Sequence, residues 1–137
     1  MCIRDSKYLT PEILGRLMAD DKCLYMTDAW IEDEGMQNPA AFSCFPEFLR
    51  LGREKGTLPH VVRQMTGAAA DRFGLTGRGY LRPGFHADVT VFDPRTAAPG
   101  PDPAGRPVGI CHVFVNGEHA VKDGVALGIR AGQALTL

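Results

Sequence analysis

The stretch that most constrains the fold runs from Thr66 to Pro94, TGAAADRFGLTGRGYLRPGFHADVTVFDP, because a turn or a terminator stands at each of its joints. The alanines of Ala68–Phe73 favour helix, Thr66 is placed to cap that run, and Gly74 follows where a left-handed residue ends a helix. Gly77 and Gly79 interrupt the chain, and Pro83-Gly84 fits a type II turn with glycine at the positive-φ position. Ala87–Phe92 then alternates Ala/Val/Val against Asp/Thr/Phe, the pattern of a half-buried strand.

Upstream of this stretch the pattern is helical. Thr10-Pro11-Glu12 is a helix start, and Ile13, Leu14, Leu17 and Met18 share one face, which predicts a helix over Pro11–Ala19 ended by Asp20-Asp21. Lys22–Thr27, KCLYMT, is strand-compatible and stops at Asp28. Phe42, Phe45, Phe48, Leu49 and Leu51 recur at near-helical spacing as a core stripe, with Pro46 expected to split the run into a turn and a helix. Lys55-Gly56 closes it, and Thr57 is placed to cap a further helix with Pro59 in its first turn and Val61, Val62 and Met65 facing inward.

Downstream the signals change to strand. Arg95–Pro107 is rich in proline, glycine and alanine and reads as a loop. Cys111–Val115, Asn116-Gly117 and Glu118–Lys122 form a hairpin pattern with a type I′ turn, and Asp123-Gly124 marks the end of the return strand. The glycine-broken Val125–Leu137 is expected to cross a sheet edge.

The 137 residues are 45% hydrophobic and 23% charged with a formal charge of −1, which is ordinary for a globular domain. No basic stripe or basic amphipathic helix appears, which argues against nucleic-acid and membrane-surface partners. No apolar run reaches the length of a membrane span or a signal-peptide core, so a cytoplasmic location is expected. Cys2, Cys23, Cys44 and Cys111 are spread without CxxC pairing and read as reduced packing thiols. No serine-nucleophile elbow, P-loop or dinucleotide fingerprint occurs, and His60, His86, His112 and His119 show neither HxH nor HExxH spacing.

The run MTG..A..FGL.GRG.L.PG..AD..VFDP, continued by the tail PVGICHVFVNGEHAVKDGVALGIRAGQAL, resembles the N-acyl-D-amino-acid deacylases (D-aminoacylases) of the amidohydrolase superfamily over residues 17–137. The resemblance implies an α/β fold: the C-terminal end of a TIM-like metal-dependent hydrolase barrel, with its last strand and helices, plus the C-terminal part of a small β-sandwich. Residues 7–80 then correspond to the end of the barrel and residues 81–137 to the sandwich portion. Residues 1–6, MCIRDS, have no counterpart in the pattern and are expected to be a non-native leader. A whole barrel needs about 200 residues or more, so the chain is expected to be part of a longer enzyme and inactive alone.

The site residues follow from the same resemblance. The MTDA segment corresponds to the end of the eighth barrel strand, which makes Asp28 the catalytic carboxylate, a proton shuttle near the metal and counted with its ligands. The cofactor implied is zinc, usually the cation of such deacylases, with its remaining ligands upstream of this chain. The loop Ala29–Pro39 would lie over the active-site mouth, where Trp30, Gln37 and Asn38 could touch substrate. The expected partner is a small N-acyl amino acid whose amide is hydrolysed. One departure stands out: relatives tend to offer basic residues in this loop, whereas no Lys or Arg occurs from Ala29 to Leu49, and Glu32, Asp33 and Glu34 stand in a row. Three acidic groups disfavour an anionic ligand. His86 and Asp88 resemble a ligand pair, but the resemblance gives that position a structural role, and His112 and His119 are expected to lie on facing strands of the hairpin in a surface or cross-strand role, not as ligands. The alternatives are a cyclic amidase of the same superfamily, dihydroorotase- or hydantoinase-like, and a non-catalytic α+β interaction module.

Overall fold

The computed structural model describes residues 10–27, 29, 33–34, 38–102 and 105–135. Among these described residues four helices come first, α1 (Pro11–Ala19), α2 (Ala40–Glu54), α3 (Leu58–Met65) and α4 (Gly67–Phe73). Four strands follow, β1 (Val89–Phe92), β2 (Ile110–Val115), β3 (Glu118–Lys122) and β4 (Val125–Ala126), in one antiparallel sheet of order β1-β2-β3-β4. The chain is therefore mixed α/β, with helices packing on helices and strands pairing with strands.

The first helix forms as its sequence dictates. The Thr10 side chain accepts the Ile13 N–H at 3.3 Å, Pro11 occupies the first turn where its missing donor costs nothing, and Asp20 stands at the C-cap. At the end of α2, Gly56 adopts φ +69° while the Thr57 N–H reaches the Gly52 carbonyl at 2.8 Å and the Gly56 N–H that of Arg53 at 3.1 Å. These two bonds satisfy carbonyls that the helix end leaves orphaned, in the Schellman arrangement. Gly74 ends α4 in the left-handed region as expected.

Four local expectations differ from the structure. Pro46 lies inside the continuous helix α2 and does not split it. It removes one interior hydrogen bond at a typical cost of about 3 kcal/mol. Burial of Pro46, Phe48 and Leu49 on the same helix opposes that cost. Thr57 and Thr66 occupy the N-cap positions of α3 and α4 without a side-chain capping bond. The Thr66 hydroxyl instead donates back to the Val62 carbonyl at 2.8 Å, the competing local bond open to a threonine near a helix end. Residues 23–27 join no ladder, because every described strand pairing belongs to the C-terminal sheet. The alternation expected across β1 is also broken: Thr90 and Val91 are both exposed, and the pairing with β2 slips between Val91 and Phe92, which changes the facing at the bulge.

The helical core gathers Met18 of α1, Tyr25, Phe48 of α2 and Val61 of α3, with Leu14, Cys44, Leu51 and Met65 packed around it. The Tyr25 and Phe48 rings stack at 4.7 Å, and the Tyr25 hydroxyl donates to the Met18 carbonyl at 2.6 Å. A buried phenol needs such an acceptor. Burial first, and the neighbouring Cys23 second, push the Tyr25 hydroxyl up to about 12. The segment after α1 is thus held to the helices by a ring stack and a hydrogen bond in place of a sheet ladder.

The hairpin matches its sequence signal. Asn116 and Gly117 both have positive φ, 49° and 85°, as a type I′ turn demands. Asp123-Gly124 repeats the device with φ 50° and 72°, so the return strand turns again into β4 where only an end was expected. Arg53 of α2 donates to the Ala97 carbonyl at 2.9 Å and ties the helices to the loop after β1. Between the helical and strand parts lies a mostly apolar cleft of about 570 Å³, lined by Phe42, Phe45, Met65, Tyr80, Val89 and Phe92 among others.

Candidate functional site

Asp28, Trp30 and Gln37 lie outside the described residues, whereas Asn38 lies within them. Asn38 is half-buried at the entrance to α2, where its side-chain oxygen accepts the Ala40 N–H at 3.0 Å and its carbonyl accepts the Ala41 N–H at 3.0 Å. An asparagine before a helix commonly satisfies orphan donors in this way. The segment that precedes Asp28 in sequence is pinned to the same helix end. Thr27 donates its hydroxyl to the Ala40 carbonyl at 3.3 Å, and the Cys44 thiol meets the Met26 carbonyl at 3.6 Å. The structure therefore brings together the end of the Lys22–Thr27 segment and Asn38.

A second cluster stands where the turn segment meets the hairpin. Asp88 receives the Arg78 guanidinium and accepts the Asn116 N–H at 2.8 Å, and Arg78 also donates to the Asn116 side-chain oxygen at 3.0 Å. The Asn116 amide donates in turn to the Ala131 carbonyl at 2.7 Å, and the Gly117 N–H bonds to the Ala87 carbonyl at 3.0 Å. Burial alone would raise the Asp88 carboxyl, but the Asn116 N–H and the Arg78 guanidinium outweigh it and hold the group below its ordinary value. Both carboxylate oxygens are occupied by these two partners, and His86 is exposed. Asp88 is a structural clasp, as expected for that position. Nothing in the spacing of Arg78 singles it out, since its partners are ten and 38 residues away.

His112 and His119 lie on the facing strands β2 and β3 with ring nitrogens 3.3 Å apart, although the register pairs His119 with Phe114 and His112 with Lys122. Among the described residues no three His, Cys, Asp or Glu side chains converge as a metal site. Cys23 and Cys111 are free thiols. No described helix is long and apolar enough to cross a membrane.

No family profile matches the chain. It is 36% identical over 126 residues to a D-aminoacylase of Alcaligenes xylosoxydans xylosoxydans, covering 88% of this chain and 26% of that protein. It is 40% identical over 105 residues to an N-acyl-D-aspartate deacylase of the same organism, covering 72% of this chain and 21% of the relative. Among solved structures, a D-aminoacylase described as defining a novel subset of amidohydrolases superposes with a TM-score of 0.66 at 38% identity, over 70% of this chain and 22% of that one. An N-acyl-D-glutamate deacylase from Bordetella bronchiseptica, solved with zinc and a phosphonate inhibitor, gives 0.58 at 40% identity over 61% and 19% of the two chains. The chain thus spans about a quarter or less of the length of the proteins it matches.

Proposed function

We infer that this chain, which belongs to the N-acyl-D-amino-acid deacylase family of the amidohydrolase superfamily, supplies the C-terminal part of a metal-dependent hydrolase that cleaves the amide of N-acyl-D-amino acids. The observation that supports this reading is an identity of 36–40% to a D-aminoacylase and an N-acyl-D-aspartate deacylase, joined to a superposition on a D-aminoacylase at 38% identity. In this reading residues 7–80 close a TIM-like barrel, residues 81–137 complete part of a small β-sandwich, and the enzyme works in the cytoplasm on a small-molecule substrate.

Zinc is the proposed cofactor, and it would polarise the scissile amide. The described residues do not fit it by themselves, since no group of three ligands converges among them. Its holders are therefore assigned to the rest of the enzyme, with Asp28 the one carboxylate that this chain contributes beside the metal. Asp28 takes up a proton from the water that attacks the amide carbon and returns it to the nitrogen of the leaving amine, which a carboxylate within hydrogen-bond reach can do. Trp30, Gln37 and Asn38 border the substrate. The Asn38 side-chain oxygen is already engaged at the start of α2, so a substrate contact there would use its amide nitrogen. With Glu32, Asp33 and Glu34 in the loop and no Lys or Arg from Ala29 to Leu49, the favoured substrates carry neutral side chains.

The test uses the intact enzyme and a panel of N-acetyl-D- and N-acetyl-L-amino acids. Neutral D substrates should be hydrolysed best and N-acetyl-D-aspartate and N-acetyl-D-glutamate poorly. Asp28→Ala should lower kcat by about 10²–10⁴-fold, the usual worth of a positioned acid–base group, with metal content retained. Activity restricted to cyclic amides would replace this reading by the cyclic amidase, and an unchanged kcat in the variant would remove Asp28 from the chemistry.

A further inference from the structure

We propose that His112 and His119 form a two-histidine binding site for a borderline divalent cation, Cu²⁺ or Zn²⁺, on the hairpin of β2 and β3, where both rings are half-buried. His119 Nε2 and His112 Nδ1 are 3.3 Å apart. Two imidazole nitrogens bound to one tetrahedral zinc at the usual bond length stand about 3.3–3.4 Å from one another. The two nitrogens already have the separation of a shared ion, which would take the place of the hydrogen bond between them.

The surroundings of both rings suit this. His119 stacks on Phe114, its partner in the ladder, at 4.4 Å between centroids with planes 13° apart. The other nitrogen of His112, Nε2, faces Asp123 Oδ1 at 4.0 Å. A histidine that binds metal through one nitrogen typically presents the other N–H to a carboxylate, which fixes its tautomer and raises its basicity. Asp123 occupies that outer position, close enough for a side-chain rotation to complete the bond. Lys122 stands opposite His112 in the ladder, and Asp123 follows it in the chain. Two protein ligands leave the remaining positions to water, so the site is exchangeable, and affinity should follow the order Cu²⁺ above Zn²⁺.

The experiment titrates the 137-residue chain with zinc chloride or copper chloride alone. With zinc, nitrogen-resolved NMR of the imidazoles should show one equivalent engaging His119 Nε2 and His112 Nδ1, with His86 unmoved. His119→Gln should weaken binding at least about tenfold, and His86→Gln should leave it unchanged. Asp123→Asn keeps a residue that tolerates positive φ and should weaken binding by about tenfold, the usual effect of an outer carboxylate. The wild-type ring signals carry the test even if a variant folds poorly. No response of either ring up to about 1 mM zinc, or an affinity untouched by His119→Gln, would overturn the site.

Discussion

Asp88 joins three pieces of chain that are far apart in sequence: the turn carrying Arg78, the start of β1, and the tip of the hairpin at Asn116. Because its carboxyl is held below the ordinary range, the ionised form is the one the fold favours. Its contribution is therefore complete above the unfolded carboxyl value of about 3.9 and is lost as pH falls through the lower folded value. Asp88→Asn should cost about 1 kcal/mol at neutral pH, since the partly exposed pair is discounted for solvent. The variant should also flatten the fall in melting temperature on acidification below about pH 4. Equal acid sensitivity in the two proteins would place the stabilising charge elsewhere. The position could be recognised in the sequence as structural, through the family pattern around HAD. Its partners could not, because an ion pair over ten residues and a turn amide 28 residues on leave no periodic trace.

At the scale of elements, α1, the end of α2, α4 and the hairpin follow from caps, glycines and periodicity, all of which act within a few residues. Pro46 and the segment 23–27 were not legible because tertiary neighbours decide them: burial carries the helix through a proline, and a strand needs a partner to pair with. The contact between α2 and α3 is of this tertiary kind. A methyl group added at Gly52 would lie 2.8 Å from a Val61 methyl and 3.2 Å from the Leu58 backbone, and Val61 is fully buried. The helices approach so closely only because position 52 carries no side chain. Gly52→Ala gains about 1 kcal/mol of helix propensity yet should be net destabilising, because overpacking a tight contact typically costs about 1–3 kcal/mol. Thermal denaturation should show a lower melting temperature for Gly52→Ala. A higher one would mean that α3 is free to move away.

At the scale of the whole molecule the described residues leave apolar surface open: Met26, Phe73 and Leu81 are at least half exposed, and the cleft between helices and sheet is lined mainly by hydrophobic side chains. Among the described residues the helical core rests on four buried side chains and the sheet on local hairpin contacts, while the tie between the two parts includes the Arg53–Ala97 hydrogen bond. That balance was foreseeable only from the family resemblance, since composition is ordinary and nothing local in the sequence reports how much surface a fold leaves open. Helices and sheet studied in this chain alone should therefore not share one transition. Hydrogen exchange should protect the amides of Ile110–Lys122 longer than those of Pro11–Met65, where burying the helices needs more than the described core supplies. Far-ultraviolet signals for helix and sheet should lose amplitude at different temperatures. Coincident, sharp melting of both, with uniform protection across α1–α3 and the hairpin, would show that this chain closes its own core and needs no larger body to cover it.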